Sequence, residues 1–243
     1  MSETLLQTDG LTKRFGALTA NDEITLSVDR GEIRGIIGPN GSGKTTFFNS
    51  LTGFYTPDAG TVTFEGTDIT GWDSHRIARE GIGRTFQIAA PFGNMTVRQN
   101  MLAVQTPKSV DEHERAQEIL EFLDIDHIAD DDASGMSGGQ KKLLGLGRVL
   151  MLDPACILLD EPTAGVNPAL ADRILDHLRE LNEQGTTFLI IEHDMDVLKQ
   201  IVDTVSVLDQ GQHIVQGTFE EVSTDERVRE AYLGSADGDE VPI

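Results

Sequence analysis

The sequence predicts an α/β protein built on a mostly parallel sheet with helices on both faces. Three observations carry that expectation. A short apolar strand, Gly35-Ile36-Ile37, runs into the glycine-rich turn Gly38-Pro39-Asn40-Gly41-Ser42-Gly43-Lys44-Thr45 and then into a helix start at Thr46 to Leu51. A second apolar strand, Ile157 to Leu159, ends on the acidic pair Asp160-Glu161. Beyond it, amphipathic helix alternates with buried strand. Pro168 to Glu183 carries Leu170, Ile174, Leu178 and Leu181 on one side, and Thr187 to Ile191 reads as another buried strand.

Taken in order, the first third reads as short strands. Glu23 to Val28 and Gly60 to Glu65 alternate apolar and polar residues, the pattern of half-buried antiparallel strands. Ser74 to Arg79 predicts a brief helix stopped at Gly81, Arg84 to Gln87 an edge strand, and Ala89 to Met95 a Pro/Gly-punctuated loop. The middle turns helical. In Glu112 to Leu123, residues Ala116, Ile119, Leu120 and Leu123 form one apolar stripe, and Asp130-Asp131-Asp132 reads as a solvated loop. Ser137 is placed to cap a helix from Gly138 to Met151. Gly145 and Gly147 inside it each cost about 1 kcal/mol against Ala, and close packing on a sheet is one reason to keep them. Asp203 to Leu208 and His213 to Val215 flank Gln210-Gly211 as a hairpin. Glu220 to Tyr232 closes as one helix, and an acidic tail follows from Gly234.

A chain of 243 residues with 19 basic and 41 acidic side chains, net charge -22, is a poor partner for nucleic acid, whose phosphates it would repel. The acidity has two readings: adaptation to a high-salt cytosol, where screening relieves self-repulsion, or an ordinary acidic protein. With Cys156 the only cysteine there is no intrachain disulfide, and its apolar neighbours predict a buried, inert thiol. Met1 to Leu11 lacks the marks of a signal peptide, and no apolar run is long enough to span a bilayer. Membrane association is therefore expected only through a partner protein.

The glycine-rich turn matches G-x-x-x-x-G-K-[ST] in the strand-loop-helix context that pattern requires. Its backbone N–H groups form a nest at a helix N-terminus, suited to phosphate. Gly38, Asn40, Gly41, Ser42, Gly43, Lys44, Thr45 and Thr46 are the candidate contacts to a nucleoside triphosphate. Lys44 reaches the β- and γ-phosphates, and the Thr45 hydroxyl is a candidate Mg²⁺ ligand. Asp160, ending a buried strand, is where such enzymes hold Mg²⁺ through water. Glu161 beside it is the candidate base for the attacking water. His193 follows the strand Phe188 to Ile191 and is expected at the ligand crevice, against the γ-phosphate. Gln87, which ends a strand just before a Pro/Gly loop, is a further candidate. Met136-Ser137-Gly138-Gly139-Gln140 makes a second anion-binding helix start. Two chains arranged head to tail need it: each turn at Gly38 then holds an ATP that the partner's Ser137-Gly138-Gly139 closes.

In this order Gly38 to Thr46, Gln87, Met136 to Gln140, Ile157 to Pro162 and His193 resemble the Walker A, Q-loop, signature, Walker B and H-loop of ABC-type ATPases. Met136 replaces the usual Leu, and Ala164-Gly165-Val166-Asn167 resembles the D-loop, with Asn where many relatives carry Asp. The finer resemblance, over Leu11 to Gly234, is to ATP-binding subunits of branched-chain amino acid (Liv-type) importers. It rests on Phe47 to Tyr55, His75 to Arg79, Gly83 to Gln87, Met95-Thr96-Val97, Ile191 to Met195 and Ala231 to Gly234. Two departures are a shortened Ala103 to Glu112 stretch, in the segment that faces the permease in this family, and Phe219 where Pro is common.

The resemblance implies a P-loop NTPase (RecA-like) core with a mostly parallel sheet, an N-terminal antiparallel β-subdomain and an inserted α-helical subdomain at about 88–150, within a nucleotide-binding domain of residues 1–234 and an acidic tail at 235–243. It implies Phe15 stacking on adenine, and Ser137, Gly138, Gly139 and Gln140 contacting ATP. It further implies Gln87 joining Thr45 and Asp160 at Mg²⁺, with Glu161, His193, Gln87 and Lys44 carrying catalysis. The implied partners are a second ABC ATPase subunit, identical or different, two transmembrane permease subunits and, indirectly, an extracellular solute-binding protein. The chain would then sit peripherally at the cytoplasmic face of the membrane. A soluble ABC-type ATPase uncoupled from any permease is the alternative; a P-loop kinase would not need Ser137 to Gln140.

Overall fold

The computed structural model describes residues 3–85, 91–107 and 110–233. Along the chain run β1 (Thr4–Phe15), β2 (Leu18–Asp29), β3 (Ile33–Ile37), α1 (Lys44–Leu51), β4 (Ala59–Phe64), β5 (Thr67–Asp68), α2 (Ser74–Glu80) and β6 (Ile82–Arg84). Then follow α3 (Val97–Leu102), α4 (Glu112–Phe122), α5 (Gly138–Leu150), β7 (Cys156–Asp160), α6 (Pro168–Glu183) and β8 (Thr187–Ile191). Last come α7 (Met195–Ile201), β9 (Thr204–Asp209), β10 (Gln212–Gly217), α8 (Phe219–Thr224) and α9 (Glu226–Leu233). The chain divides into two units: Met1–Ile77 with Thr187–Ile243, and Ala78–Thr186.

The first unit holds two groups of strands. An antiparallel sheet runs in the order β2-β1-β4-β5. Its β1–β2 hairpin closes at Phe15↔Leu18, so Phe15 stands at the tip, 43% exposed. The second group runs β10-β9-β3-β8. Here β3 lies parallel to β8 through Ile33↔Phe188 to Ile36↔Ile191, and parallel to β9 through Arg34↔Thr204 to Ile37↔Val207. Every residue of β3 and of β8 is buried, as central parallel strands require. Each fully buried Ile or Leu there contributes roughly 1.5–3 kcal/mol. Ile37, Met195, Leu198, Val205, Val207, Val222 and Val228 form one core cluster beneath α7, α8 and α9.

In the second unit β6 pairs parallel with β7, Ile82↔Cys156 to Arg84↔Leu158. Helix α5 packs close because Gly147 carries no side chain. A methyl there would meet Met101 Sδ at 3.0 Å and Leu123 Cδ1 at 3.1 Å. That close approach is to helical neighbours, not to the sheet that the sequence reading offered as a reason. Asp111 caps α4 through the His113 and Glu114 N–H groups, and Asn167 caps α6 through Leu170 N–H, with Pro168 at its first turn.

The expected α/β class, parallel strands and N-terminal antiparallel strands are present, with three differences in detail. The closing segment is two helices rather than one. Asp225 is extended between them (φ -70°, ψ 128°) and its carboxylate takes the Arg227 N–H. The edge strand begins earlier than expected, at Ile82–Arg84, and Thr85 N–H continues the ladder to Leu158 O at 3.0 Å, while residues 86–87 lie outside the described residues. Strand β1 and the short helices α3 and α7 carried no clear pattern: β1 is interrupted by register shifts between Thr8 and Leu11, and the helices have only six and seven residues. The tail from Gly234 lies outside the described residues.

Candidate nucleotide site

Strand β3 delivers the chain to the turn at Gly38, and α1 begins at Lys44. Three glycines make this turn possible. Gly38, Gly41 and Gly43 have φ of 149°, 81° and 100°, a region other residues rarely enter. At Gly38 an added methyl would overlap the Leu208 carbonyl, and at Gly43 it would overlap the Ala20 carbonyl and come within 2.6 Å of Asn21 Nδ2. Gly41 is different: nothing lies within 4 Å of that position. The turn is thus pinned at both ends and open at its middle. Open backbone beside the N-terminus of an eight-residue helix is a cradle that fits phosphate oxygens.

The Lys44 ammonium is buried and folded over its own loop. It donates to Gly38 O at 2.7 Å and Pro39 O at 3.0 Å. Those carbonyls hold the charge at the turn's centre, where triphosphate oxygens are the natural competitors. Asn21 Nδ2 donates to Gly43 O at 3.1 Å, and Gly211 N–H to Ser42 O at 3.1 Å, bracing the loop from β2 and from the β9–β10 turn. Tyr232 of α9 adds a hydrogen bond with the Gly38 backbone, and burial pushes its phenol up to about 12. Thr45 and Asn40 are exposed, while Ser42 is buried. At the hairpin tip Phe15 meets Tyr55 edge to face, centroids 5.1 Å apart, with Lys13 Nζ 5.5 Å from its ring. Phe15 is therefore not a core side chain.

His193 follows β8 by two residues. Its backbone N–H donates to the buried Glu192 carboxylate at 3.0 Å, and the side chain is exposed. Since Ile36 and Ile191 are register partners, His193 and Gly38 leave adjacent parallel strands at the same edge, the carboxyl ends where ligands bind.

The second unit holds the acidic pair and the signature stretch. Asp160 ends β7 with only 9% exposure and pairs with Arg84 of β6 at 3.5 Å. Glu161 follows with φ +50°, a left-handed conformation that costs about 1 kcal/mol or more in a non-glycine residue. Its carbonyl accepts from Lys142 Nζ of α5 at 2.6 Å. Ser137 caps α5: its Oγ accepts Gln140 N–H at 3.3 Å, and Gln140 Oε1 accepts Ser137 N–H at 2.9 Å. Gln140 is thereby engaged as a cap. Gly138 is exposed with nothing within 4 Å, whereas Gly139 is buried against Leu170 and Val166. A cavity of about 400 Å³ in this unit is lined by Arg84, Lys141, Lys142, Arg148, Asp160 and Glu161 among others. Burial lowers the Arg148 guanidinium from its ordinary value, and its head lies 5.0 Å from the Phe92 ring centroid. Gln87 lies outside the described residues. Cys156 is fully buried, with its thiol pushed up to about 12 by desolvation, the inert thiol expected.

Sequence reasoning named neither Tyr232, Lys142 nor Leu170 as site residues. Tyr232 lay inside a stretch quoted for the resemblance, but nothing in its spacing tells of Gly38.

A family model described as ABC transporter matches residues 21–164, and one described as branched-chain amino acid ATP-binding cassette transporter matches residues 212–238. The chain is 42% identical to a probable branched-chain amino acid transport ATP-binding protein LivG of Archaeoglobus fulgidus, covering 97% of both. It is 37% identical to the high-affinity branched-chain amino acid transport ATP-binding protein BraF of Pseudomonas aeruginosa, covering 97% of this chain and 100% of the relative. Among solved structures, a nucleotide-free ATP-binding cassette from an ABC transporter shares 40% identity over 96% of this chain and 100% of that one, TM-score 0.88. The ADP conformation of an ATP-binding cassette from an ABC transporter gives the same identity and coverage at TM-score 0.86.

Proposed function

We propose, for a chain that belongs to the ABC transporter family of ATP-binding proteins, that it powers an importer for branched-chain or related amino acids. The names of its relatives support that substrate class. In this reading it works at the cytoplasmic face of the membrane, held there by two permease subunits that a solute-binding protein serves from outside. No described helix is long and apolar enough to cross a membrane. Residues 1–234 are the nucleotide-binding domain, with a helical part near 88–150.

One observation carries the mechanism: the chain has two helix starts suited to phosphate, one opening at the exposed Gly41 before Lys44 and one at the exposed Ser137–Gly138. One triphosphate on one chain needs only the first. The second serves a nucleotide held by another ATPase subunit, so two ATPs close a pair of subunits and hydrolysis opens it. Lys44 exchanges its loop carbonyls for β- and γ-phosphate oxygens, and Phe15 supports adenine. Glu161 takes a proton from the attacking water, and His193 donates to the γ-phosphate. Thr45, Gln87 and Asp160 would hold Mg²⁺, which when bound neutralises phosphate charge and orients the leaving group. The acidic composition supports a high-salt cytosol as its setting.

Detergent extraction of the tagged chain from its own membranes tests the assignment. Co-purified permeases and ATP turnover stimulated by leucine or a related amino acid through the binding protein are expected. A chain recovered without membrane subunits, hydrolysing ATP at full rate, would favour the soluble ATPase instead.

A further inference from the structure

The residues after Glu161 form a closed circuit with α5. From Glu161 the chain runs through a turn to Asn167, whose Oδ1 accepts Leu170 N–H at 3.0 Å and so starts α6. The Leu170 side chain then lies on Gly139, in the first turn of α5, where a methyl would overlap Leu170 Cδ2 and meet Val166 Cγ1 at 3.7 Å. One turn further along α5, Lys142 Nζ reaches back to the Glu161 carbonyl at 2.6 Å. Glu161, Leu170, Gly139 and Lys142 thus link the segment bearing the candidate base to the helix bearing the candidate signature. All of this lies within one unit of the chain.

We infer that Leu170 is a positioning residue that sets the Ser137–Gly139 helix start against the Glu161 turn. The inference rests on the two-subunit reading above. In that reading Glu161 acts on the nucleotide of its own chain and Ser137 on the nucleotide of the partner. A rigid link between them makes the state of one nucleotide felt at the other. A larger residue at position 139 would first displace the half-buried Leu170 side chain from the first turn of α5. Leu170 touches no phosphate, and its role is to hold Gly139 where the α5 N–H groups face outward.

The test is a double-mutant cycle in the full chain, assembled with its partner subunits. Leu170→Ala is expected to leave nucleotide affinity in the unassembled chain unchanged, while lowering kcat about tenfold and bringing the Hill coefficient for ATP toward 1. Leu170→Met, which refills the space, is expected to restore both. Gly139→Ala alone is expected to lose at least tenfold in kcat, and adding Leu170→Ala is expected to recover part of that loss, because the second change removes the overlap. Wild-type kinetics in Leu170→Ala, or no recovery in the double variant while each melts as the parent does, would overturn the inference. Lys44→Ala in the same assembly separates the two levels. If it hydrolyses ATP normally, the site reading itself fails; if it is inactive while Leu170→Ala is normal, only the positioning role falls.

Discussion

Ile36 and Ile191 face each other in neighbouring parallel strands, so Gly38 and His193 leave the sheet two residues later at a common edge. That register brings His193 to the same end of the sheet as Gly38, although the two are 155 residues apart in sequence. His193→Ala should lower kcat about 10²-fold, the usual cost of one donor aimed at transition-state charge, with ATP affinity nearly unchanged. Steady-state kinetics and nucleotide titration separate the two. An equal loss in affinity would assign His193 to ground-state binding.

The Lys44 ammonium rests on Gly38 O and Pro39 O. Lys44→Ala removes the charge that triphosphate would take over, with charge-assisted hydrogen bonds worth roughly 1.5–3 kcal/mol each. ATP affinity should fall at least tenfold, measured by equilibrium titration, and hydrolysis should be lost.

Tyr232 ties α9 to the phosphate turn through a hydrogen bond with the Gly38 backbone, and burial holds its phenol neutral to about pH 12. Tyr232→Phe keeps the ring and deletes the hydrogen bond. Urea unfolding should show about 1 kcal/mol less stability. A larger loss would mean that the ring, too, had moved.

Two histidines set an acid limit. Burial holds His177, beside Phe122 with ring centroids 4.9 Å apart, below its ordinary 6.5, and does the same to His213, whose Nδ1 lies 3.1 Å from Thr25 O. The unfolded chain therefore takes up these protons first as pH falls. Stability is full above 6.5 and declines below it, toward the lower native values. Melting between pH 7.5 and 6 should show this fall, and His177→Gln with His213→Gln should flatten it.

If the net charge of -22 suits a high-salt cytosol, melting temperature should climb from low to molar KCl by more than the few degrees that about 1 kcal/mol brings at this size. A flat series would mark an ordinary acidic protein.

Much of the site was legible because its chemistry is local. Gly38 to Thr46 is one strand-turn-helix, and Asp160-Glu161 follows a run of buried residues, so spacing and residue type sufficed. Phe15 needed the resemblance, since a lone Phe before a glycine has no pattern of its own; the hairpin at Phe15↔Leu18 explains its exposure. The remaining links were illegible for a physical reason. Leu170 looked like one more apolar residue on the α6 stripe, and only packing reveals that it covers Gly139. Lys142 reaches a backbone carbonyl, which leaves no trace in side-chain spacing. The break at Asp225 was hidden because a six-residue helix and an eight-residue helix, joined by one extended residue, read together as one long stripe.

The central claim is that ATP is enclosed by two subunits, the turn at Lys44 on one and the helix start at Ser137 on the other. Light scattering of the Glu161→Gln chain, alone and mixed with any cassette subunit that co-purifies with it, tests this most directly. The account predicts that Mg²⁺ and ATP double the mass, that ADP does not, and that Ser137→Arg abolishes the change. A mass unmoved by ATP in both samples, with the nucleotide bound, would contradict it.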